Sequence, residues 1–159
     1  MNRSERLLAF FVRFGAVVLL TATLAVFLPF PWMASTHTWL GLGSLPDLPI
    51  IQYLTRSLSA LYAFHGAILW LLATDVRRYA PAIRLMAWGD VVFGLTLLGV
   101  DLTAGMPWYW TAAEGPWLIG YAALVLWLLG RAEQEARTAP APGSAPPAAY
   151  PAPGGSGPG

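Results

Sequence analysis

Hydrophobic residues along the chain fall into four long runs, separated by short polar or proline-containing segments. A transmembrane helix needs about 20 mostly apolar residues to cross about 30 Å of hydrocarbon. The pattern therefore predicts four membrane-spanning helices, over about residues 7–30, 50–73, 81–103 and 116–129. The last helix is the shortest, unless it begins upstream near Thr111 or continues into residues 131–137. The expected fold class is an all-α integral membrane protein, built as a four-transmembrane-helix bundle.

Residues at the ends of these runs agree with helix boundaries. Asn2, followed three residues later by Glu5, is a plausible N-terminal cap of the first helix. Pro29 and Pro31 are expected to end that helix, because proline lacks the N–H that a continuing helix needs. Pro81 suits the first turn of the third helix.

Two segments lie outside the four runs. Residues 32–42 are too short and polar to span a bilayer, and their Trp and Leu residues predict a short interfacial helix between helices 1 and 2. Residues 136–159 hold seven of the 14 prolines and five glycines, which predicts a disordered tail. The transmembrane domain is therefore expected to occupy residues 1–135.

Arginines mark one side of the predicted bundle. Eight of the nine precede or open helix 1, lie between helices 2 and 3 or in the first turn of helix 3, or follow helix 4, whereas the connections at 31–49 and 104–115 contain none. Because cytoplasmic loops are enriched in basic residues, both termini are predicted to be cytoplasmic in the plasma membrane. Every cation is Arg and none is Lys, a bias that indicates a GC-rich bacterial genome.

Composition supports the membrane assignment and excludes several function classes. Hydrophobic residues make up 57% of the chain, charged residues 11%, and the mean hydropathy is +0.56. An ordinary soluble domain carries about 25% charged residues. A net charge of +1 is too small to attract a nucleic acid, so no nucleic-acid partner is expected. The lack of cysteine excludes disulfides, iron–sulfur clusters and cysteine-ligated zinc.

One candidate binding site is a group of charges expected near the outer end of the bundle. Arg56 lies about 9 Å below the start of helix 2, and Asp101 and Glu114 fall at a similar depth on its neighbours. Charges in hydrocarbon are costly, so such groups usually pair or have a function. This intramembrane charge cluster predicts either a clamp between helices or a pocket that binds an anionic headgroup or substrate.

Glu114 has a second possible role. Thr111 and Glu114 have the spacing of a capping box at the start of helix 4. Pro116 would then stand inside the helix, and it fits the first helical position better. Both placements of Glu114 stay open on the sequence.

His65 and Asp90 form a candidate inner polar pair. His65 lies nine residues before Thr74 and Asp90 nine residues after Pro81, so their depths in the bundle match. The pair predicts either a hydrogen-bonded packing contact or a proton relay. Arg56 and His65 are nine residues apart and project about 180° apart on one helix, so one continuous site is not expected.

Other motifs are lacking. The two histidines, His37 and His65, differ in depth, so no bis-histidine haem, metal site or other cofactor is predicted. There is no glycine-rich phosphate loop, no G-x-S-x-G and no H-E-x-x-H, and no catalytic residue is assigned.

Two sequence blocks carry a resemblance to a known group. They are HTWLGLGSLPDLPIIQYLTRSLSALYAFHGAILWLLATDVRRYAPAIR at 37–84 and GVDLTAGMPWYWTAAEGP at 99–116. The chain resembles the BphX-like group of small, mostly uncharacterised bacterial four-helix membrane proteins, over about residues 14–130. The resemblance implies the fold and no activity, and its likeness to DoxX-type proteins is architectural only.

Three function hypotheses follow. The favoured one is a non-enzymatic accessory or interaction subunit, whose partners are the lipid bilayer and other membrane subunits or a second copy. The second is a small-ligand or proton-coupled transporter that uses the outer Arg and carboxylate pocket. The third is a membrane oxidoreductase partner that acts on a hydrophobic substrate.

Overall fold

The computed structural model describes residues 2–138, and this part of the chain is all-helical, with no strand. It has seven helical segments: α1 (Arg3–Leu20), α2 (Ala22–Phe27), α3 (Phe30–Trp39), α4 (Pro49–Leu72), α5 (Ala80–Ala104), α6 (Trp108–Ala113) and α7 (Gly115–Thr138). The pairs α1–α2 and α6–α7 are each separated by a single residue. The all-helical fold class is thereby confirmed.

The first predicted helix is present as α1 and α2, which begin at Arg3, four residues earlier than expected, and are divided at Thr21. Asn2 and Glu5 form a capping box, in which each side chain bonds the other's backbone N–H. Phe27 ends α2, three residues earlier than expected. The short helix predicted over 32–42 is present as α3 and begins at Phe30.

Three helical stretches are long and apolar enough to cross a membrane: Arg3–Phe27, Ala80–Ala104 and Trp108–Thr138. α4 has 24 residues, but it contains Gln52, Arg56 and His65, which lower its apolarity. The structure thus supports a multi-pass membrane protein with three such stretches among residues 2–138.

α7 is longer than the 14 residues expected for the fourth span. It begins at Gly115, with Pro116 in its first turn, and continues to Thr138. The alternative in which this helix extends through residues 131–137 is therefore confirmed. Its end takes in the first three residues of the predicted tail, and residues 139–159 lie outside the described part of the chain.

The bundle consists of two tightly packed helix pairs. α1 and α2 pack against α4, and α5 packs against α7, whereas α1 and α7 connect the pairs and α4 and α5 barely touch. Glycine permits the close approach within each pair. A Cβ on Gly66 would lie 2.9 Å from the Ala16 carbonyl oxygen, and one on Gly94 would lie 3.0 Å from the Gly115 carbonyl oxygen.

The hydrophobic core fills only one end of the bundle. We call this end, which holds Asn2, residues 73–79 and Thr138, the terminal end; the opposite end, with α3 and α6, is the distal end. The core side chains come from α1, α4, α5, α7 and the turn after α4: Leu8, Ala9, Val12, Ala16, Leu69, Leu72, Ala73, Val76, Ile83, Ala87, Val125, Leu128 and Leu129. Toward the distal end from this core, α1, α4, α5 and α7 line a cleft, which is the candidate site.

Candidate functional site: a cleft between two helix pairs

A cleft of about 150 Å³ begins where the core ends. Leu69 belongs to both the core and the cleft wall. Four helices contribute to this central cleft, whose lining residues are Phe14, Gly15, Val18, Leu19, Tyr62, His65, Leu69, Asp90, Phe93, Trp117, Leu118 and Tyr121. Its walls are almost entirely apolar and rich in aromatic rings, and His65 and Asp90 are its two ionisable groups besides the tyrosines.

The structure brings His65 and Asp90 together across the narrow contact between α4 and α5. The distance from His65 Nε2 to Asp90 Oδ1 is 3.8 Å, with side-chain exposures of 29% and 11%. One turn further along each helix, the rings of Tyr62 and Phe93 meet with their centroids 6.5 Å apart. The 3.8 Å distance exceeds the usual 2.7–3.2 Å of an N–H···O hydrogen bond. Both polar atoms can therefore form a hydrogen bond with a third group.

Tyr121 closes the cleft between α7 and α1. Its hydroxyl donates a hydrogen bond to the Phe11 carbonyl oxygen at 3.0 Å. Gly15 makes this placement possible, because a Cβ there would overlap the Tyr121 hydroxyl. The sequence analysis missed Tyr62 and Tyr121 as site residues. The available signal was that a tyrosine hydroxyl inside an apolar helix needs a partner.

Arg56 has a backbone partner that the sequence analysis did not anticipate. Its Nη2 donates to the Leu28 carbonyl oxygen at 3.4 Å. In a continuous helix that carbonyl would accept from the amide of Trp32, but this amide donates to Pro29 instead. Arg56 therefore supplies a donor at the break between α2 and α3.

The expected charge cluster does not close into ion pairs. Among residues 2–138, no carboxylate lies within 4.0 Å of the Arg56 guanidinium. Asp101 is buried on α5, and within this part of the chain its Oδ2 and Arg56 Nε have no hydrogen-bond partner. Similar depth in the bundle thus does not bring Arg56 and Asp101 into an ion pair within 4.0 Å.

Glu114 lies at the bend between α6 and α7. Its carboxylate accepts a hydrogen bond from Trp110 Nε1 at 2.7 Å. α6 is preceded by Pro107 and has no side-chain cap, and Thr111 bonds back to the Pro107 carbonyl. The capping box of Thr111 and Glu114 is therefore not formed, and Pro116 stands in the first turn of α7 as the alternative expected.

The terminal end carries its own polar contacts, which sequence reasoning did not assign. Glu5 on α1 pairs with Arg77, and Arg84 on α5 pairs with Glu133 on α7 at 2.6 Å. The hydrogen bond to Glu5 raises the pKa of Arg77 above its ordinary value. Ser4 also donates to Glu135, which joins α1 to α7. These contacts reinforce the end that the core already fills.

At the distal end Tyr109 joins α6 to the loop that follows α3. Tyr109 on α6 donates its hydroxyl proton to the Leu40 carbonyl oxygen, which follows α3, at 2.7 Å. Gly41 has a φ of 74°, a conformation that L side chains seldom adopt. A Cβ at Gly41 would also lie 2.7 Å from the Tyr109 hydroxyl. The loop after α3 thus reaches α6 across the open end of the bundle.

Chemically, the central cleft combines an apolar volume with one donor–acceptor pair. Within residues 2–138, no three His, Asp or Glu side chains group closely enough to bind a metal ion. The lining contains no Ser, Thr or Cys that the histidine would activate as a nucleophile. In comparisons with models of known families, with curated proteins and with solved structures, the chain matches none of them.

Proposed function

We propose that the chain crosses the bilayer four times, with α4 as the fourth span, and that both termini face the cytoplasm of a bacterial plasma membrane. α4 has 24 residues, a length of about 36 Å. Its outer face is apolar, with exposed Leu54, Leu58, Leu61 and Phe64. Its polar Arg56 and His65 turn toward Leu28 and Asp90. Membership of the BphX-like group is part of this proposal and rests on the two sequence blocks.

Single cysteines test this topology cleanly, because the chain has none of its own. Ser44 precedes α4 and Asp75 follows it. Labelling with a membrane-impermeant maleimide is expected to modify Ser44→Cys only from the periplasmic side and Asp75→Cys only from the cytoplasmic side. Modification of both from one side would contradict a spanning α4.

The function that the geometry supports best is non-enzymatic binding. The protein acts as an accessory membrane protein that holds a small, largely apolar molecule in the central cleft, within the bilayer. The observation that carries this proposal is the central cleft itself, in which four helices line about 150 Å³ of space rich in aromatic rings. An engineered apolar cavity of about this volume binds benzene, so the cleft has room for one aromatic ring.

Two adjacent valines provide a matched test. Val17 and Val18 on α1 are both 49% exposed, but only Val18 lines the central cleft. Fluorobenzene binding is measured by ¹⁹F NMR with the full chain in lipid nanodiscs, and empty nanodiscs provide the correction for partitioning into lipid. Saturable binding is expected for the wild type and Val17→Trp, and loss of it for Val18→Trp, because the indole fills the cleft.

Either of two results would count against this function. If fluorobenzene only partitions, with no saturable component above empty nanodiscs, the cleft is not a binding site. If Val18→Trp binds as well as Val17→Trp, any binding occurs elsewhere on the protein. Circular dichroism of both variants checks that the helices remain intact.

A further inference from the structure

The polar pair in the central cleft can form hydrogen bonds with one further small group. His65 Nε2 and Asp90 Oδ1 are 3.8 Å apart, so one small atom can lie within hydrogen-bonding distance of both. The cleft around the pair is lined by residues from all four helices, and its titratable groups are Tyr62, Tyr121, His65 and Asp90. Tyr121 already donates to the Phe11 carbonyl, so its proton is engaged elsewhere.

The hydrogen-bonding chemistry of His65 Nε2 and Asp90 Oδ1 determines which functional group can bond to both atoms. An ionised carboxylate only accepts hydrogen bonds, whereas an imidazole N–H donates one. A lipid acyl chain satisfies neither group, and burying polar groups against it is unfavourable. A carbonyl or ether oxygen accepts from His65 but offers nothing to Asp90. A hydroxyl does both, because its oxygen accepts from His65 while its proton goes to Asp90.

The side chains around the pair determine what the remainder of a bound ligand can be. Tyr62 and Phe93 stand one turn from the polar pair, and Phe14 and Trp117 line the cleft from α1 and α7. Aromatic rings pack favourably in edge-to-face or offset arrangements. The volume, about 150 Å³, suits one ring rather than a long chain.

We propose that the central cleft binds a monocyclic hydroxylated aromatic molecule, of the phenol class, with its hydroxyl between His65 and Asp90 and its ring among the aromatic walls. This inference rests on the proposed binding function and gives it a ligand class. The hydroxyl contributes selectivity, because a site built for an O–H group leaves its own polar atoms unpaired when an analogue lacks that group.

Three matched probes test the ligand class on the full chain in nanodiscs by ¹⁹F NMR: fluorobenzene, 4-fluorophenol and 4-fluoroanisole. After correction for partitioning, 4-fluorophenol is expected to bind about tenfold more tightly than fluorobenzene, as a hydrogen bond to a charged group allows. 4-Fluoroanisole keeps the oxygen but lacks the proton, so it is expected to bind no more tightly than fluorobenzene.

Substitutions of His65 and Asp90 test whether these two side chains cause the preference for 4-fluorophenol. Asp90→Asn keeps the shape of the side chain but removes its charge, and the preference for 4-fluorophenol is expected to fall to about threefold or less. His65→Leu is expected to reduce it as well, while fluorobenzene still binds. Asp75→Asn removes a carboxylate in the exposed turn after α4 and serves as the charge-matched control, with the preference unchanged.

The outcomes separate the two proposals. If none of the probes binds saturably, the cleft-binding function itself fails. If fluorobenzene and 4-fluorophenol bind equally well, the cleft is a binding site but the hydroxyl assignment is wrong. Equal binding of 4-fluoroanisole and 4-fluorophenol overturns the requirement for a donated proton, and an unchanged preference in Asp90→Asn overturns the role of the pair.

Discussion

Replacing Gly66 with alanine tests the close approach of α1 and α4. The added Cβ would lie 2.9 Å from both the Ala16 carbonyl oxygen and the Leu20 amide nitrogen, whereas ordinary contacts begin at 3.4 Å. The two helices would therefore have to separate by about 0.5 Å. Both colliding atoms belong to backbone, so no side chain can rotate away. Overpacking of this kind costs about 1–3 kcal/mol.

A matched glycine removes the contribution of helix propensity. Alanine favours the helix over glycine by up to about 1 kcal/mol, which partly offsets the collision at Gly66. Gly89 lies inside α5, and a Cβ there meets nothing within 4 Å. Because both substitutions gain the same propensity, the difference in stability between Gly66→Ala and Gly89→Ala isolates the collision, at about 1–3 kcal/mol.

The assay is reversible unfolding in mixed micelles with increasing fractions of a denaturing detergent. Circular dichroism follows helix content, and the eight tryptophans provide a fluorescence signal. Gly66→Ala is expected to unfold at a lower detergent fraction than the wild type, or at most at the same one, and clearly below Gly89→Ala. Equal midpoints for the two variants would refute the inferred packing of α1 on α4.

Three further substitutions probe single contacts. Tyr121→Phe removes the hydrogen bond to the Phe11 carbonyl and is expected to lower the free energy of unfolding by about 1 kcal/mol; an unchanged value would show that the bond contributes nothing. Tyr109→Phe releases Leu40 at the distal end and is expected to speed amide hydrogen exchange in residues 40–48 while leaving α1 unaffected. Asn2→Ala breaks the capping box and is expected to destabilise the start of α1 by about 1 kcal/mol, which hydrogen exchange of its first turn measures.

The sequence predicted the helices well because their signals are local. Runs of apolar residues, the cap at Asn2, and the prolines at 29 and 31 act within a few positions, and the structure has helix boundaries close to each. The extension of α7 was harder to predict, because residues 130–138 are polar enough to resemble a loop. Contacts of Glu133 and Glu135 with other helices hold this last stretch in place.

The candidate site was only partly predictable, because depth along a helix does not fix which way a side chain points. His65 and Asp90 were matched by depth, and the structure does bring them together at 3.8 Å. Arg56 was matched to carboxylates by the same argument, yet its partner is the carbonyl of Leu28. The cleft itself depends on the separation of α4 and α5, and no local pattern encodes such a separation.

The pairing of the helices also has a consequence for how the protein is assembled. α1–α4 and α5–α7 are each formed by consecutive stretches of chain, so each pair is a hairpin whose helices contact each other directly. The core, in contrast, needs residues from both hairpins. The chain is best divided between the exposed Thr74 and Asp75, because their neighbours Ala73 and Val76 belong to the core. Two co-expressed fragments cut there are expected to insert separately and to recover the native bundle by docking through the shared core and the contact of α1 with α7.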